Sequence, residues 1–326
     1  MNILLTGGAG FVGSHVARNI TAAGHLPIIY DDLRTGHAES VPDYELIKAD
    51  LADGDALREA MTDCGVELVM HLAASTEAGE SVKNPELYFR NNCLNGKTLL
   101  DAMLECGVHD IVFSSTAAVY GTPKRIPVKE SDPLEPINPY GMSKLSFEYM
   151  LQAYAEAYGM GAVSLRYFNV AGADPSGDIG EDHRPETHLI PLVLQVPLGK
   201  KEEVLIFGDE HGPPDGTCIR DYVHVCDIAE AHSLATNRIE RGRMKAYNLG
   251  NGDGFSVMEV VDACREVTGH DIPAEVSVSR RGDPAILVAS SDKAMEELGW
   301  QPRHNSLKRM VEDAWRWHSS HPEGYG

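Results

Sequence analysis

Seven residues near the N-terminus, Gly7-Gly8-Ala9-Gly10-Phe11-Val12-Gly13, constrain the fold more than any other stretch. They follow a short apolar run at 3–6, open an amphipathic stretch at 11–23, and satisfy both G-x-G-x-x-G and G-x-x-G-x-x-G. Glycine here permits a tight turn, lets a pyrophosphate approach the backbone, and lets a helix pack closely on the preceding strand. The helix N-terminus then offers amide hydrogens to phosphate. Strand, glycine turn and helix in that order form the first unit of a doubly wound parallel sheet, a Rossmann α/β fold that holds a dinucleotide.

The first half of the chain fits that reading. Strands are expected at 3–6, 27–30, 45–48, 68–72, 110–115 and 162–168, and helices at 11–23, 55–63, 86–105 and 140–158. From 169 to 191 the composition turns to Gly, Pro, Asp and His, with a second turn-rich stretch at 208–216, and long irregular loops of this kind often line a site. Helical patterns resume at 225–241, 257–268 and 307–317. A chain of 326 residues suits about two domains. The expected division is a dinucleotide-binding domain of 1–168 plus about 221–249, and a smaller, discontinuous substrate-binding domain of about 169–220 plus 250–326.

Asp31 lies eighteen residues beyond Gly13, at the end of the second expected strand, where a carboxylate accepts hydrogen bonds from the adenosine ribose. With Asp32 beside it, it repels the extra phosphate of NADP, so NAD is the expected cofactor; Arg34 is the residue that speaks for NADP. Asp50, ending the third strand, is expected to approach adenine.

Three tyrosines stand four residues before a lysine: Tyr44/Lys48, Tyr120/Lys124 and Tyr140/Lys144. In a helix this spacing puts both side chains on one face. Tyr44 reads as part of a strand, and Pro123 disfavours a helix from Tyr120 to Lys124. Only Tyr140 follows a cap and a first-turn proline, Asn138-Pro139. A phenol brought from its usual pKa of about 10 toward 7 needs about 4 kcal/mol of stabilisation, within reach of a nearby ammonium and a cationic nicotinamide. The expected chemistry is proton removal from an alcohol.

Composition narrows the partners. With 49 acidic against 28 basic side chains the formal charge is -21, which disfavours nucleic acid and anionic membranes. The six cysteines form no C-x-x-C pair and read as reduced thiols, and no basic leader or membrane-length apolar span is present, so a cytoplasmic location is expected. His183 and His188 lack carboxylates or thiols at ligand spacing, and no metal site is read there.

Thr6-Gly-Gly-Ala-Gly-Phe-Val-Gly13, Ser114-Ser-Thr-Ala-Ala-Val-Tyr-Gly121 and Pro139-Tyr-Gly-Met-Ser-Lys144 resemble the motifs of the extended short-chain dehydrogenase/reductase family. Gly79-Glu-Ser-Val82, Arg166-Tyr-Phe-Asn-Val-Ala-Gly172, Gly180-Glu-Asp182, Arg220-Asp-Tyr-Val-His-Val225 and Tyr247-Asn-Leu-Gly250 are similar to its UDP-hexose 4-epimerases, and the similarity runs nearly end to end. The resemblance implies a tightly held NAD that takes hydride from C4 of the hexose and returns it to the opposite face, interconverting UDP-galactose and UDP-glucose. It implies that Tyr140 takes the proton of the 4-hydroxyl with help from Thr116, while Lys144 holds the nicotinamide ribose and lowers the tyrosine's pKa. By position it implies that Leu51, Leu72, Ala73, Asn91, Ser114, Tyr167 and Phe168 join the glycine loop and the aspartates around the cofactor. For the UDP-sugar it implies Thr116, Tyr140, Asn169, His188, Leu189, Leu205, Phe207, Arg220, Arg280 and Asp283. A homodimer is implied as well, through the helices around 92–104 and 145–158.

The chain departs from the family pattern at three places. Thr116 replaces a frequent serine with the same hydroxyl chemistry. Thr76 and Glu77 stand where some members have a lysine and a small residue near the cofactor. Leu287 holds a position that elsewhere carries a bulky tyrosine or a smaller residue, which leads us to expect partial tolerance of N-acetylated sugars. A 4,6-dehydratase would need an acid and a base directly after Thr116, where the chain has Ala117 and Ala118. Epimerisation of a UDP-N-acetylhexosamine or UDP-pentose remains an alternative, and so does a non-catalytic dinucleotide sensor.

Overall fold

Side chains along Asn2–Thr6 (β1) alternate between two interiors: Ile3 and Leu5 join one apolar cluster, Leu4 joins another, and all three are fully buried. A strand buried on both faces belongs inside a parallel sheet covered by helices on each side. The computed structural model describes residues 1–210, 215–278 and 284–326. After β1 come α1 (Phe11–Ala22), β2 (Leu26–Asp31), β3 (Glu45–Lys48), α2 (Gly54–Asp63), β4 (Leu68–His71), α3 (Ala78–Lys83), α4 (Pro85–Phe89), α5 (Asn95–Glu105), β5 (Asp110–Thr116), α6 (Pro139–Tyr158) and β6 (Gly161–Tyr167). The later part adds β7 (Asn169–Ala171), α7 (Leu189–Leu194), β8 (Val204–Phe207), β9 (Ile219–His224), α8 (Val225–Ala235), β10 (Arg243–Leu249), β11 (Gly254–Ser256), α9 (Val257–Thr268), β12 (Ala274–Ser277), β13 (Ile286–Leu287) and α10 (Leu307–Ser320).

Seven strands, all parallel, form the main sheet in the order β10-β6-β5-β4-β1-β2-β3. The winding reverses between β1 and β4, and in open α/β sheets the crevice beyond the strand ends at such a point holds the ligand. One face packs on α1 and α8 through Val16, Ile20 and Ile228; the other packs on α2, α5 and α6 through Leu57, Leu100 and Phe147. A second layer centres on β9, which pairs with β7, β11 and β13, while β8 pairs with β12. Ile190, Val260 and Met310, from α7, α9 and α10, form its apolar core.

Two expected helices differ from those observed. The segment read as one helix over 86–105 begins at Pro85 and passes through a π-helical turn, Arg90–Leu94, before α5. Such turns occur often at functional sites, and this one carries Asn91 and Asn92. Asn92 accepts from the Ser75 amide at 2.8 Å and donates to the Ser143 hydroxyl at 2.9 Å, tying the loop after β4 to α6. The helix read over 225–241 stops at Ala235, and Arg243–Leu249 forms an edge strand that was not anticipated. Its first half is partly exposed and mixed in polarity, so it carries no clean period. The irregular stretch expected over 169–191 contains β7 and leads into α7.

Candidate active site

A cavity of about 700 Å³ opens along the C-terminal ends of β1, β2, β4, β5 and β6. Gly7, Gly10, Phe11, Val12 and Gly13 line it, and two of these glycines leave no room for anything larger. A Cβ at Gly7, whose φ is +71°, would stand 2.5 Å from the Ala73 amide nitrogen, and one at Gly13 would stand 2.2 Å from the Gly7 carbonyl. No side chain caps the N-terminus of α1 at Gly10, and its first turn lines the cavity, so its free amides are available to an anion there. Asp31 is held firmly: its carboxylate accepts from Ala9 at 3.0 Å and from Leu33 at 2.9 Å. Burial pushes its pKa up, against the two amides that pull it down. Arg34 is engaged by Asp32 and lies 3.3 Å from Asp50, so its charge is already answered by carboxylates.

Leu51, Leu72, Ala73, Asn91, Ser114, Tyr167 and Phe168 also line the cavity, as do Asp32, Thr76 and Glu77. Asp50 does not: its neighbours Ala49 and Leu51 do, while its carboxylate caps the Ala52 amide at 2.8 Å and faces Arg34.

Thr116 ends β5, and Tyr140 and Lys144 sit on the first turns of α6. The helix starts there because the Asn138 side chain accepts from the Gly141 amide at 2.9 Å and Pro139 takes the first helical position. All three side chains face the same cavity. The Lys144 ammonium donates to the Ser114 carbonyl at 2.8 Å and lies 4.9 Å from the centre of the Phe113 ring. Burial brings its pKa down to about 7. The Tyr140 phenol behaves differently from expectation. Burial pushes its pKa up, a hydrogen bond with Thr116 pulls it down, and Glu77 pushes it up again. In the cofactor-free chain burial thus outweighs the Thr116 hydrogen bond at Tyr140, and the Lys144 ammonium is directed at the Ser114 carbonyl.

Several motif residues serve the frame rather than the cavity. Arg166 and Glu148 are buried and paired twice, at 2.6 and 3.0 Å, and Arg166 donates to the Tyr120 hydroxyl at 2.9 Å. Tyr120 donates onward to Asn248 at 2.7 Å. This fully paired network joins α6, β6 and β10 behind the catalytic helix. Asp221 accepts from the amides of Asn251, Gly252 and Ala289 at 2.7, 3.1 and 3.0 Å and so locks β9 to its neighbours; burial still raises its pKa to about 6.

At the far end the cavity is lined by Asn169, His188, Arg220 and Leu287. Arg220 also donates to the Ile219 carbonyl at 2.9 Å. Leu189, Leu205 and Phe207 are not among the lining residues: Leu189 packs on the core of the second layer, and Leu205 is 47% exposed on β8. Arg280 and Asp283 lie outside the described residues. Tyr88, Glu80, Glu181 and His183 line the cavity without having been singled out for it from the sequence. Tyr88 packs edge-on to Tyr140 at 6.4 Å and donates to Glu80 at 2.9 Å. Nothing local marks Tyr88, whereas Glu181 and His183 adjoin or lie within the Gly180-Glu-Asp182 motif and its histidine-rich loop. Glu181 is buried beside His183 and His188, which hold its pKa well below the carboxylate range and are themselves raised by it.

Sheet order, glycine cradle and the clamped Asp31 carboxylate fit a dinucleotide-binding α/β enzyme whose cavity also holds Tyr140 and Lys144. Residues 3–250 match the sequence pattern of the NAD dependent epimerase/dehydratase family, and the chain belongs to that family. It is 53% identical to a UDP-glucose 4-epimerase of Halalkalibacterium halodurans over 326 residues, covering 100% of this chain and 98% of that one. A crystal structure of a UDP-glucose 4-epimerase superposes with a TM-score of 0.96 at 48% identity, covering 100% of both chains. The UDP-glucose 4-epimerase from Bifidobacterium longum, solved with NAD+ and UDP, superposes with a TM-score of 0.95 at 35% identity, covering 99% of this chain and 100% of that one.

Proposed function

We propose that this chain interconverts UDP-galactose and UDP-glucose by inverting the hexose at C4, with NAD as cofactor. The observation that carries this reading is the convergence of Thr116, Tyr140 and Lys144 on one cavity that also contains the glycine cradle and Asp31. The cradle suits a pyrophosphate because the space that a Cβ would fill at Gly7 and Gly13 is already taken by backbone. Asp31, clamped by two amides, suits the adenosine ribose, and the carboxylates around Arg34 favour NAD over its phosphorylated form.

When bound, NAD supplies the acceptor and then the donor of the C4 hydride, with no net redox change. Tyr140 takes the proton of the 4-hydroxyl and later returns one to the epimeric oxygen, and the Thr116 hydroxyl shares that hydrogen bond. Lys144, fixed by Ser114, holds the nicotinamide ribose and keeps a positive charge close to the phenol. Asn169, His188 and Arg220 hold the nucleotide while the 4-keto sugar turns; a guanidinium suits a diphosphate because it can donate two parallel bonds. Ala117 and Ala118 line the same wall and offer neither acid nor base, which argues against a dehydratase. On this reading the dinucleotide end comprises 1–168 with about 221–249, and the sugar end the remaining segments.

The enzyme acts as a homodimer in the cytoplasm. Leu94, Tyr149 and Tyr158, on the two helical segments expected to pair, are large apolar residues left exposed in the single chain. All six cysteines are free, and no described helix is long and apolar enough to cross a membrane. Proton NMR of UDP-galactose incubated with catalytic enzyme and NAD should show UDP-glucose without accumulation of NADH. Persistence of UDP-galactose, with turnover of UDP-N-acetylgalactosamine or UDP-xylose instead, would keep the chemistry and replace the substrate. Silence from all three would remove the catalytic reading.

A further inference from the structure

Around His188, at the sugar end of the cavity, stand three groups of metal-ligating type that the proposed epimerisation does not use: Glu181 and His183 line the cavity, and Glu186 lies behind them. The carboxylates absent at ligand spacing in the sequence reading are supplied by the folded loop: Glu181, His183, Glu186 and His188 each bring one ligand atom within 4.8 Å of the others. His183 Nδ1 stands 3.1 Å and His188 Nδ1 2.6 Å from the same oxygen, Glu181 Oε1. Glu186 stands beside both histidines, its Oε1 3.4 Å from His188 Nδ1 and its Oε2 4.0 Å from His183 Nδ1.

Two further observations point to a ligand. Glu181 is 4% exposed, and its Oε1, together with the Nδ1 atoms of both histidines, is buried without an aligned hydrogen bond. Two ring nitrogens crowding one carboxylate oxygen at poor angles is a weak way to satisfy three polar atoms, but it is how ligands stand around a shared cation. The Glu186 carboxylate is oriented by the amides of Thr187 and His188 at 2.7 and 2.8 Å, the kind of outer support that fixes a ligand. A tetrahedron with bonds of 2.0–2.1 Å has edges of roughly 3.4 Å, close to the 3.1 Å between His183 Nδ1 and Glu181 Oε1 and the 3.4 Å between His188 Nδ1 and Glu186 Oε1.

We propose that Glu181, His183, Glu186 and His188 form a site for a divalent cation of the zinc class, whose coordination is completed by the diphosphate of the nucleotide sugar. Two imidazoles and two carboxylates suit a borderline cation, whereas magnesium and calcium take oxygen ligands. Glu181, His183 and His188 line the same cavity as Asn169 and Arg220, so an anion held by those residues meets this wall. The diphosphate clause rests on the UDP-sugar reading; the cation site does not.

The test uses full-length, tag-free protein stripped with a chelator and titrated with Co2+, whose visible d–d absorption is strong only at low coordination number. The expected result is saturation at one Co2+ per chain, displaced by Zn2+, with loss of the signal in His183→Gln and in Glu186→Gln variants that retain the wild-type circular dichroism. No saturable signal, or a signal that persists in both variants, overturns the site. Addition of UDP should shift the spectrum; an unshifted spectrum overturns the diphosphate contact. Because the titration needs no turnover, an intact Co2+ signal in a protein that epimerises no UDP-sugar would count against the proposed function and for the site.

Discussion

The two ends of the cavity are made of different material. The dinucleotide end is built from main chain: a glycine turn closed against Ala73, first-turn amides of α1, and an aspartate gripped by two backbone hydrogens. The sugar end is built from side chains that arrive from separate segments: Asn169 on β7, His188 before α7, Arg220 on β9 and Leu287 on β13. A main-chain site has few ways to vary, because altering it moves the sheet itself. A side-chain site changes by single substitutions while the sheet stays put. The comparison predicts that changes at the junction remove the chemistry, changes at the dinucleotide end weaken the cofactor as a whole, and changes at the sugar end redistribute activity among substrates.

The largest effect belongs to the junction. On the proposed mechanism Tyr140→Phe deletes the atom that takes the substrate proton and leaves the ring in place, so turnover of UDP-galactose should fall by about 10³-fold or more. Retention of NAD and of UDP should stay within a few-fold of the unaltered enzyme, measured on the same preparation. Near-normal turnover would take Tyr140 out of the mechanism and erase the junction between the two ends.

Lys144 gives the next effect, read in stability. Its pKa is brought down to about 7 from 10.5 by burial. Between these values the unfolded chain carries a proton on this lysine and the cofactor-free fold does not, so its contribution to stability grows as pH rises from about 7 toward 10.5 and is flat below. The slope is on the order of 1 kcal/mol per pH unit. Chemical denaturation of cofactor-free protein should therefore show a shallower rise between pH 7 and 9 in Lys144→Met than in the parent. Parallel profiles would mean that the ammonium remains charged in the fold.

What was legible in the sequence follows the same division. The glycine loop, Asp31 and the Tyr140/Lys144 pair are short and contiguous, and their spacing maps directly onto one turn or one helical face; the structure brings them together. The edge strand Arg243–Leu249 was missed because its outward half lacks a period, and the π turn at Arg90–Leu94 because one extra residue in a helical turn leaves no mark on an amphipathic pattern. The approach of Glu181 and Glu186 to His183 and His188 was not legible because it depends on how a loop folds back, not on a helical or strand period. The lowered Tyr140 pKa was expected from Lys144 and a cationic nicotinamide together; spacing shows the lysine, but not the burial that raises the phenol in the cofactor-free chain or the Ser114 carbonyl that takes the lysine's hydrogen bond.

At the dinucleotide end, Asp31→Ala removes the acceptor of the ribose hydroxyls and releases the Ala9 and Leu33 amides. NAD affinity should drop by about tenfold to a hundredfold, the worth of a charge-assisted hydrogen bond or two. The preference for NAD over NADP should narrow at the same time, read by isothermal titration with both dinucleotides. An unchanged ratio would shift the discrimination to Asp32 and Arg34.

The smallest effect is expected at the sugar end and tests whether that end is the adjustable one. Leu287 lines the cavity from β13 and is paired in register with Arg220, one of the residues proposed to hold the nucleotide sugar. A leucine leaves more room than a tyrosine, and an acetamido group at C2 needs that room. The unaltered enzyme should epimerise UDP-N-acetylglucosamine more slowly than UDP-glucose, and Leu287→Tyr should lower the ratio of the two kcat/KM values by about tenfold, the usual reach of one steric contact. NAD retention should not move, since β13 takes no part in the glycine cradle. Failure to turn over UDP-N-acetylglucosamine at saturating enzyme would show that another residue closes this wall, and a loss of NAD in Leu287→Tyr would show that the two ends are not separable at all.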